Sequence, residues 1–371
     1  MNNEKKKRIA IIGANEAINK LILKAKSLDF ETHVFAWECG APGELTADFF
    51  YPISIDKKEE IAEKCKEIGV HGVVSVTSDF AVNTVNYVAR TNGLIGNSEK
   101  TDLLARNKYM MRKALKDAGL YVPWFIKADR NFDYTDIEKY HYPLIVKPVD
   151  RWSSKGVTRI NSGSDFRSAV EYAVRESLNQ EAIVEEFMDG EEYSCECICY
   201  DYNYYVLAFT KKMTTGFPHY VETGHIQPAD LDEKQKKMIR EKIFNALRAL
   251  DIRYGAAHAE FKIMENGEIG VIEIGARMGG DCIGTDLVEL STGYDYLKMV
   301  LDVACGNAPD FKKSKHWMNA RVDYVLNDDD YDLYMKLKKE GNIIASHDIN
   351  KDFGEEIKDS SLRHGYYIVV R

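Results

Sequence analysis

The stretch that decides the fold is AEFKIMENGEIGVIEIGARMGG, residues 259–280. Two runs of strand-forming residues flank Asn266-Gly267, a dipeptide typical of two-residue hairpin turns because both positions tolerate positive φ. Counting outward from such a turn gives the predicted cross-strand pairs: Glu265 with Glu268, Met264 with Ile269, Lys262 with Val271, and Glu260 with Glu273. Like charges placed directly opposite each other destabilise a sheet, so the pairing of Glu260 with Glu273 needs an explanation.

Three arrangements relieve the repulsion between these two glutamates. They share a proton, a neighbouring cation such as Lys262 or Arg277 compensates them, or a divalent metal bridges them. Mg²⁺ takes one or two protein carboxylates together with the phosphates of a nucleotide, so the third arrangement predicts a bound nucleotide. A solvent-exposed acid pair beside basic residues explains the same pattern without a ligand.

The composition indicates a globular chain rather than a disordered or fibrous one. It has 371 residues, 45% of them hydrophobic, with a formal net charge of −9 and a pI near 5.6. An acidic balance argues against nucleic acid as the main partner. The apolar run Ile9–Ile12 is too short for a signal peptide, and the sequence lacks an apolar run of about 18 residues, so we expect a cytoplasmic protein without a membrane partner.

The first hundred residues alternate strand-like and helix-like patterns, which predicts a parallel sheet flanked by helices. The segment GANEA, residues 13–17, lacks the GxGxxG spacing of dinucleotide-binding loops, so a nicotinamide site with Glu38 as its ribose-binding acid is only weakly supported. Beyond this segment we expect one helix over 100–119, a compact α+β segment, a polar loop over 211–225, and a C-terminal α+β segment. The predicted domains are 1–99, 100–187, 188–306 and 307–371, and the fold class is α/β combined with α+β.

Two patterns, one rich in cysteine and one acidic, are explained by structure more simply than by a metal site. Cys195, Cys197 and Cys199 alternate and so share one face of a strand, where buried small hydrophobic residues are a simpler explanation than a soft-metal site. The acidic run 328–330 is typical of a helix N-terminus, where negative charge complements the macrodipole.

Basic residues supply the candidates for binding phosphate. Lys147 ends the apolar strand LIVKP, where its ammonium group needs an anionic partner, and a phosphate is one such partner. The following loop RWSSKG, residues 151–156, offers backbone N–H groups, hydroxyls and Lys155 to phosphates. Lys108, on the predicted helix, is another candidate cation.

At this point the sequence resembles the ATP-grasp family, specifically its carboxylate–amine ligases of the amino acid ligase type. Four features occur in the family's order: the lysine in ARNKYMMRKAL, the KP strand end with its small-residue loop, the segment VEEFMDGEEYS, and the acids in AEFKI and VIEIGARMGG. The resemblance covers nearly the whole chain and implies an ATP-grasp fold with an N-terminal parallel α/β domain.

The resemblance also implies roles for individual residues. Lys108 and Lys147 contact phosphates, Ser153, Ser154 and Gly156 form the mobile loop over them, and Arg277 and Lys155 act on the transferring phosphoryl group. Glu185 receives the adenine amino group, the backbone of Glu186, Phe187 and Met188 binds the adenine edge, and Glu192 holds the ribose. Glu260 and Glu273 bridge Mg²⁺, or Mn²⁺ in its place, to the phosphates.

One position departs from the family pattern. The family commonly carries an asparagine two residues after the second metal glutamate as a third ligand, whereas this chain has Gly275. Three explanations are open: the second ion has fewer protein ligands, another side chain replaces the asparagine, or the chain is an inactive copy.

The implied reaction is ATP-dependent ligation: a substrate carboxylate takes the γ-phosphate, and an amine then captures the acyl phosphate, releasing ADP and phosphate. Glu222 is a candidate for binding the α-amino group of a substrate and His225 for binding a carboxylate. The alternative is that both residues belong to a solvated surface loop. Ser78 and Asp79, at the end of the third predicted strand, lie where open α/β sheets bind ligands. Rival functions are a purine-biosynthetic or carboxylase-like enzyme and a silent nucleotide-binding regulator, and a homodimer is compatible with all of them.

Overall fold

The computed structural model describes residues 6–151, 154–217, 220–354 and 357–371. These residues form three β-sheets with helices packed on them. The predicted loop residue Ser153 lies outside the described residues. Within the described ranges, none of the helices has both the length and the apolar character that crossing a bilayer requires.

The N-terminal sheet is parallel throughout, as the alternating pattern predicts. Its strands are β1 (Arg8–Ile12), β2 (Glu31–Phe35), β3 (Phe49–Tyr51) and β4 (Gly72–Val74), in the order β3-β2-β1-β4. The accompanying helices are α1 (Glu16–Ser27), α2 (Pro42–Thr46), α3 (Lys58–Ile68) and α4 (Asp79–Asn92). The short elements α2 and β3 were not predicted, because neither is long enough to show a clear period.

The single helix predicted over 100–119 is wrong. The structure has two helices, α5 (Glu99–Arg106) and α6 (Lys108–Asp117), separated by Asn107 in an extended conformation. The Asn107 side chain accepts a hydrogen bond from the Met110 N–H, which makes it the N-cap of α6. The break places Lys108 at the start of a helix, where its own N–H donates to Val149 O at 2.8 Å.

The second sheet is a compact antiparallel unit covered by α7 (Phe166–Glu176). Its strands are β5 (Phe125–Asp129), β6 (Leu144–Pro148), β7 (Thr158–Ile160) and β8 (Glu181–Glu186), in the order β5-β8-β6-β7. The apolar sides of α7 and the strands form one buried cluster. This unit agrees with the α+β segment that the sequence predicts.

The third sheet has eight strands in the described residues, in the order β13-β12-β9-β10-β11-β14-β16-β15. They are β9 (Glu191–Tyr200), β10 (Asn203–Thr214), β11 (Glu222–Gln227), β12 (Tyr254–Ile263), β13 (Ile269–Gly275), β14 (Ala320–Tyr324), β15 (Ile343–His347) and β16 (Tyr366–Val370). The helices that follow in this part of the chain are α8 (Glu233–Ala249), α9 (Val288–Thr292), α10 (Tyr296–Ala304) and α11 (Asp328–Lys339), with a π-helical turn at Ile283–Leu287 before α9.

The polar loop predicted over 211–225 is wrong at both ends, because β10 continues to Thr214 and β11 begins at Glu222. The three alternating cysteines are confirmed as buried core residues packed under α8. The acidic run is confirmed as the first turn of α11. The domain boundaries stay a prediction.

The hairpin between β12 and β13 brings the two glutamates opposite each other by an unexpected route. The loop has three residues rather than two: the Gly267 N–H donates to Met264 O, and the Met264 N–H donates to Glu268 O. Gly267 has φ +77°, as expected for a type I turn closed by a left-handed residue. The register near the loop is therefore shifted by one, with Lys262 opposite Gly270 instead of Val271.

A β-bulge then restores the predicted pairing. Phe261 lies opposite Val271 and Glu260 opposite Glu273, so Ile272 is the extra residue of β13. The Ile272 carbonyl, which has no strand partner in this register, accepts a hydrogen bond from Arg112 Nη2 at 2.9 Å. The two departures from the predicted geometry cancel, and the opposed glutamates are confirmed.

Candidate functional site

A cavity of about 200 Å³ lies between the second and third sheets. Its described lining includes these predicted nucleotide and metal residues: Lys108, Lys147, Ser154, Lys155, Glu185, Phe187, Met188, Glu192, Glu260, Glu273 and Arg277. Seven lysines and arginines line it against five glutamates, so its wall carries an excess of positive charge. We call it the nucleotide cavity.

The negative charge of Glu260 is compensated by cations of the protein itself. Its Oε1 accepts from Lys212 Nζ at 2.7 Å and lies 3.1 Å from His258 Nε2. Burial would raise the pKa of Glu260, but Lys212 and His258 outweigh it and hold that pKa well below its usual range. Of the three arrangements that the sequence allows, compensation by neighbouring cations is therefore the one present at Glu260.

Glu273 is compensated in the same way by Lys108, whose Nζ lies 2.9 Å from Glu273 Oε1. The Lys108 ammonium also donates to Arg151 O at 2.6 Å. The cations suggested from the sequence, Lys262 and Arg277, are engaged elsewhere, since Lys262 Nζ lies over the Phe187 ring at 4.6 Å. The compensating lysines come from α6 and β10 rather than from the hairpin itself.

The glutamate pair still fits a magnesium ion. Among the described residues, the second oxygen of each carboxylate makes no hydrogen bond or ion pair. Two carboxylates that face a basic cavity match the oxygen donors that Mg²⁺ takes from proteins when phosphates complete its shell. Within the described ranges, no group of three or more His, Cys, Asp or Glu side chains is placed to hold a metal.

Lys147 already has an anionic partner inside the protein. Its Nζ lies 2.7 Å from Glu185 Oε2, and the other oxygen of Glu185 accepts from Arg112 Nε. All three side chains are buried. Burial would raise the pKa of Glu185, yet the two cations lower it to about 2. Two positive charges on one carboxylate leave this buried cluster with a net charge of +1, which favours an added anion.

The backbone predicted to meet adenine is partly occupied. The Glu186 N–H donates to Trp124 O at 2.9 Å, and the Phe187 N–H donates to Pro143 O at 3.1 Å. These two donors are unavailable for adenine, and the Glu186 side chain is exposed. Phe187 and Met188 line the cavity with their side chains instead.

The other nucleotide residues are placed as follows. Glu192 lines the cavity 3.2 Å from Lys212 Nζ, and Lys155 lies 3.4 Å from Glu176. Gly156 has φ +77°, and a Cβ there would lie 2.7 Å from Pro148 Cγ, so this position excludes other residues. The predicted contacts of these residues with nucleotide remain proposals.

Arg277 lies where the nucleotide cavity meets a second cavity. Its guanidinium pairs with both oxygens of Asp79, at 3.0 and 2.9 Å, so α4 of the N-terminal sheet contributes to this junction. A Cβ at position 275 would lie 3.2 Å from both Arg277 Cζ and Asp79 Oδ1. Gly275 therefore leaves room for this ion pair at the position where the family commonly has an asparagine.

The second cavity, of about 500 Å³, is lined by Glu222, His225 and Asp79 among the predicted substrate residues. Among the described residues, Lys212, Glu222, His258, Glu260 and Arg277 line both cavities. Ser78 is not part of either lining; its hydroxyl accepts from the Ala81 N–H and caps α4. Glu222 and His225 lie on β11, so the solvated-loop alternative for them is wrong.

Three residues that sequence reasoning missed organise this site: Lys212, His258 and Arg112. Lys212 is buried, and its ammonium also lies 3.6 Å from Glu222. His258 contacts Glu196 through Nδ1, and Glu196 also accepts from the Gly279 N–H at 2.8 Å. Burial would lower the pKa of His258, but the two glutamates raise it to about 9. Extending the alternation of β10 past Thr210 would have pointed Lys212 inward.

Comparison with known proteins agrees with this geometry. Residues 140–286 match the ATP-grasp domain family. The fold also matches the crystal structure of an L-amino acid ligase from Bacillus licheniformis with a TM-score of 0.81, at 23% identity over 98% of this chain and 93% of that one. Residues 140–286 therefore form a domain of the ATP-grasp family.

Two further comparisons show which other proteins the chain resembles. It is 32% identical over 308 residues to the alanine–anticapsin ligase of Bacillus subtilis, covering 72% of this chain and 63% of that protein. The chain thus spans less than two thirds of the length of that curated relative. Its fold matches the N5-carboxyaminoimidazole synthetase of Staphylococcus aureus complexed with ADP, with a TM-score of 0.79 at 17% identity over 100% of this chain and 95% of that one.

Proposed function

We propose that this protein is an ATP-dependent ligase that joins the carboxylate of one amino acid to the amine of another through an acyl phosphate. One observation carries the proposal: among the described residues, a basic cavity suited to a nucleotide meets a second, polar cavity at five shared side chains, Lys212, Glu222, His258, Glu260 and Arg277. A carboxylate at this junction faces phosphates on one side and an amine on the other. The ligase named among the relatives supports the same reaction class.

In this proposal the cations of the nucleotide cavity hold the triphosphate. Lys108 and Lys147 start in contact with Glu273 and Glu185, and their remaining N–H groups bind phosphate oxygens. Phosphoryl transfer depends mainly on positioning and charge neutralisation, so fixed cations contribute directly to its rate. Glu260 and Glu273 would hold Mg²⁺, which when bound neutralises charge on the phosphates.

We assign Arg277 to the reacting centre. Its bidentate pairing with Asp79 fixes the plane of the guanidinium, and a fixed fork favours a carboxylate or a phosphoryl group in one orientation. Burial would lower the pKa of Arg277, but Asp79 raises it, so the side chain stays charged. Arg277 therefore stabilises the negative charge that develops when the carboxylate takes the phosphoryl group.

The test is phosphate release from ATP and Mg²⁺ in the presence of paired amino acids, with mass spectrometry of the products. We expect release that requires two amino acids and a product whose mass equals their sum less one water. Release that requires a purine intermediate would favour the carboxyaminoimidazole-type reaction. The absence of release under every mixture would overturn the ligase proposal.

A further inference from the structure

The second cavity has a feature that marks it as a binding site. His225 is only 1% exposed, and neither ring nitrogen has a hydrogen-bond partner among the described residues. Its nearest acid is Asp281, at 3.8 Å from Nε2, which is too long for a hydrogen bond. Because a buried unpaired imidazole is costly, an unsatisfied histidine in a cavity wall points to a polar ligand.

Every lysine and arginine that the described residues place in this wall already has a carboxylate at close range, and His258 lies beside Glu196 and Glu260. Three of these ion pairs join distant parts of the chain: Lys20 with Asp286 at 2.7 Å, Arg277 with Asp79 at 2.9 Å, and Arg363 with Asp281 at 2.8 Å. The fourth pair is Lys212 with Glu260, at 2.7 Å. The positive charge of each of these four residues is therefore balanced by a carboxylate of the protein itself.

Two carboxylates of the same wall have no lysine, arginine or histidine nitrogen at hydrogen-bond distance among the described residues, and the exposed Asp348 has His347 at 3.0 Å. Glu222 accepts from the Ser360 hydroxyl at 2.9 Å, and Lys212, which Glu260 already holds, lies 3.6 Å away. Glu16, in the first turn of α1, makes no ion pair or side-chain hydrogen bond in the described part of the chain. The unmatched charge of the second cavity is thus negative and lies at two places, whereas that of the nucleotide cavity is positive.

We infer that the second cavity binds an amino acid with a cationic side chain as the amine-donating substrate. Its carboxylate binds His225, and its α-amine lies at Glu222, beside the Lys212 junction with the nucleotide cavity. Its side-chain ammonium or guanidinium lies at Glu16. The inference deepens the proposed function and rests on it for the reaction, but the binding preference can be measured without turnover.

The test is calorimetric binding of L-lysine and of L-norleucine, its uncharged analogue of similar length, to the full chain loaded with Mg²⁺ and AMP-PNP. We expect lysine to bind about tenfold more tightly, because a half-buried ion pair contributes on the order of one decade in affinity. Glu16→Gln should remove the difference. Glu59→Gln, which changes an acid in the first turn of α3 outside both cavities, should preserve it.

Equal binding of the two ligands, or a lysine preference that survives Glu16→Gln, would overturn the inference. Phosphate release with alanine and lysine separates this result from the proposed function. Preferred lysine binding without release from any amino acid pair would keep the binding inference and reject the ligase reaction. Release with neutral pairs and no lysine preference would keep the ligase reaction and reject the inference.

Discussion

The two cavities of this protein are built from different kinds of sequence. Most charged residues of the nucleotide cavity lie between Lys108 and Glu273 in the sequence, mainly at strand ends and in one loop. Its wall is predominantly basic. The second cavity joins Glu16, Glu222, Asp281 and Arg363, which come from four separate parts of the chain, and its unmatched charge is acidic. A site made of ordered local motifs can be recognised in a sequence, whereas one made by long-range packing has to be seen in a structure.

The strongest way to break this comparison is to remove Lys212, a cation that lines both cavities. Lys212→Met leaves Glu192, Glu222 and Glu260 close together without their common ammonium. We expect the free energy of unfolding to fall by about 3–5 kcal/mol, because breaking a buried ion pair leaves uncompensated charge. Urea titration measures the loss.

The adjacent Lys211 is the matched control, since its ion pair with Glu191 is largely exposed. Lys211→Met should cost less than about 1 kcal/mol. Equal effects of the two substitutions would show that Lys212 is not the buried centre of this network.

Alkaline pH should weaken the shared wall through His258. Its pKa is raised to about 9 in the folded chain, so its protonation stabilises the fold fully below the ordinary histidine pKa near 6.5. That contribution, at most about 3 kcal/mol, falls as pH rises from about 6.5 and is gone above about 9. Unfolding by urea across this range should show the slope, and His258→Asn should lack most of it. A wild-type slope retained in the variant would contradict the assignment.

Glu273→Gln tests the nucleotide cavity alone. The substitution removes the charged partner of Lys108, so we expect a loss of about 1–2 kcal/mol in stability rather than the gain that simple repulsion between glutamates would predict. Turnover should fall at least about a hundredfold, because a charged group of the proposed phosphate site is lost. Thermal unfolding and phosphate release measure the two effects.

Glu265→Gln, in the exposed hairpin loop, is the control for this substitution and should change neither quantity. A more stable Glu273→Gln protein would restore the view that the two carboxylates mainly repel each other.

The smallest expected effect is at the junction of the cavities. Gly275→Asn places a side chain against the Arg277–Asp79 pair, where even a Cβ is tightly packed. We expect a loss of about 1 kcal/mol and a higher KM for the carboxylate substrate, with the KM for ATP unchanged. Kinetics at varied concentrations of each substrate check this, and an unchanged KM for the carboxylate would separate Gly275 from substrate binding.

The sequence was sufficient for the parallel character of the N-terminal sheet, the opposed glutamates and the motif residues of the nucleotide cavity, but not for Lys212 and His258 in its lining. These features depend on local periodicity, turn chemistry and motif order. It was insufficient for the partners of the charged groups, because Lys108, Arg112 and Lys212 reach their carboxylates only after separate elements pack together. The helix break at Asn107 was readable in principle, since an asparagine two residues before a new apolar period is a capping signal.

The three-residue loop and the bulge at Ile272 together set which side of the sheet Glu273 occupies. Side chains alternate along a strand, so the orientation of Glu273 depends on whether the number of residues between it and the turn is odd or even. In the register that the three-residue loop sets, a regular β13 would put Glu273 opposite Ala259, on the other face of the sheet, and the extra residue Ile272 returns Glu273 to the position opposite Glu260. Distant homologues of this hairpin should therefore be aligned on the two acids and not on the turn, because an extra residue in the loop is offset by the extra residue of the bulge.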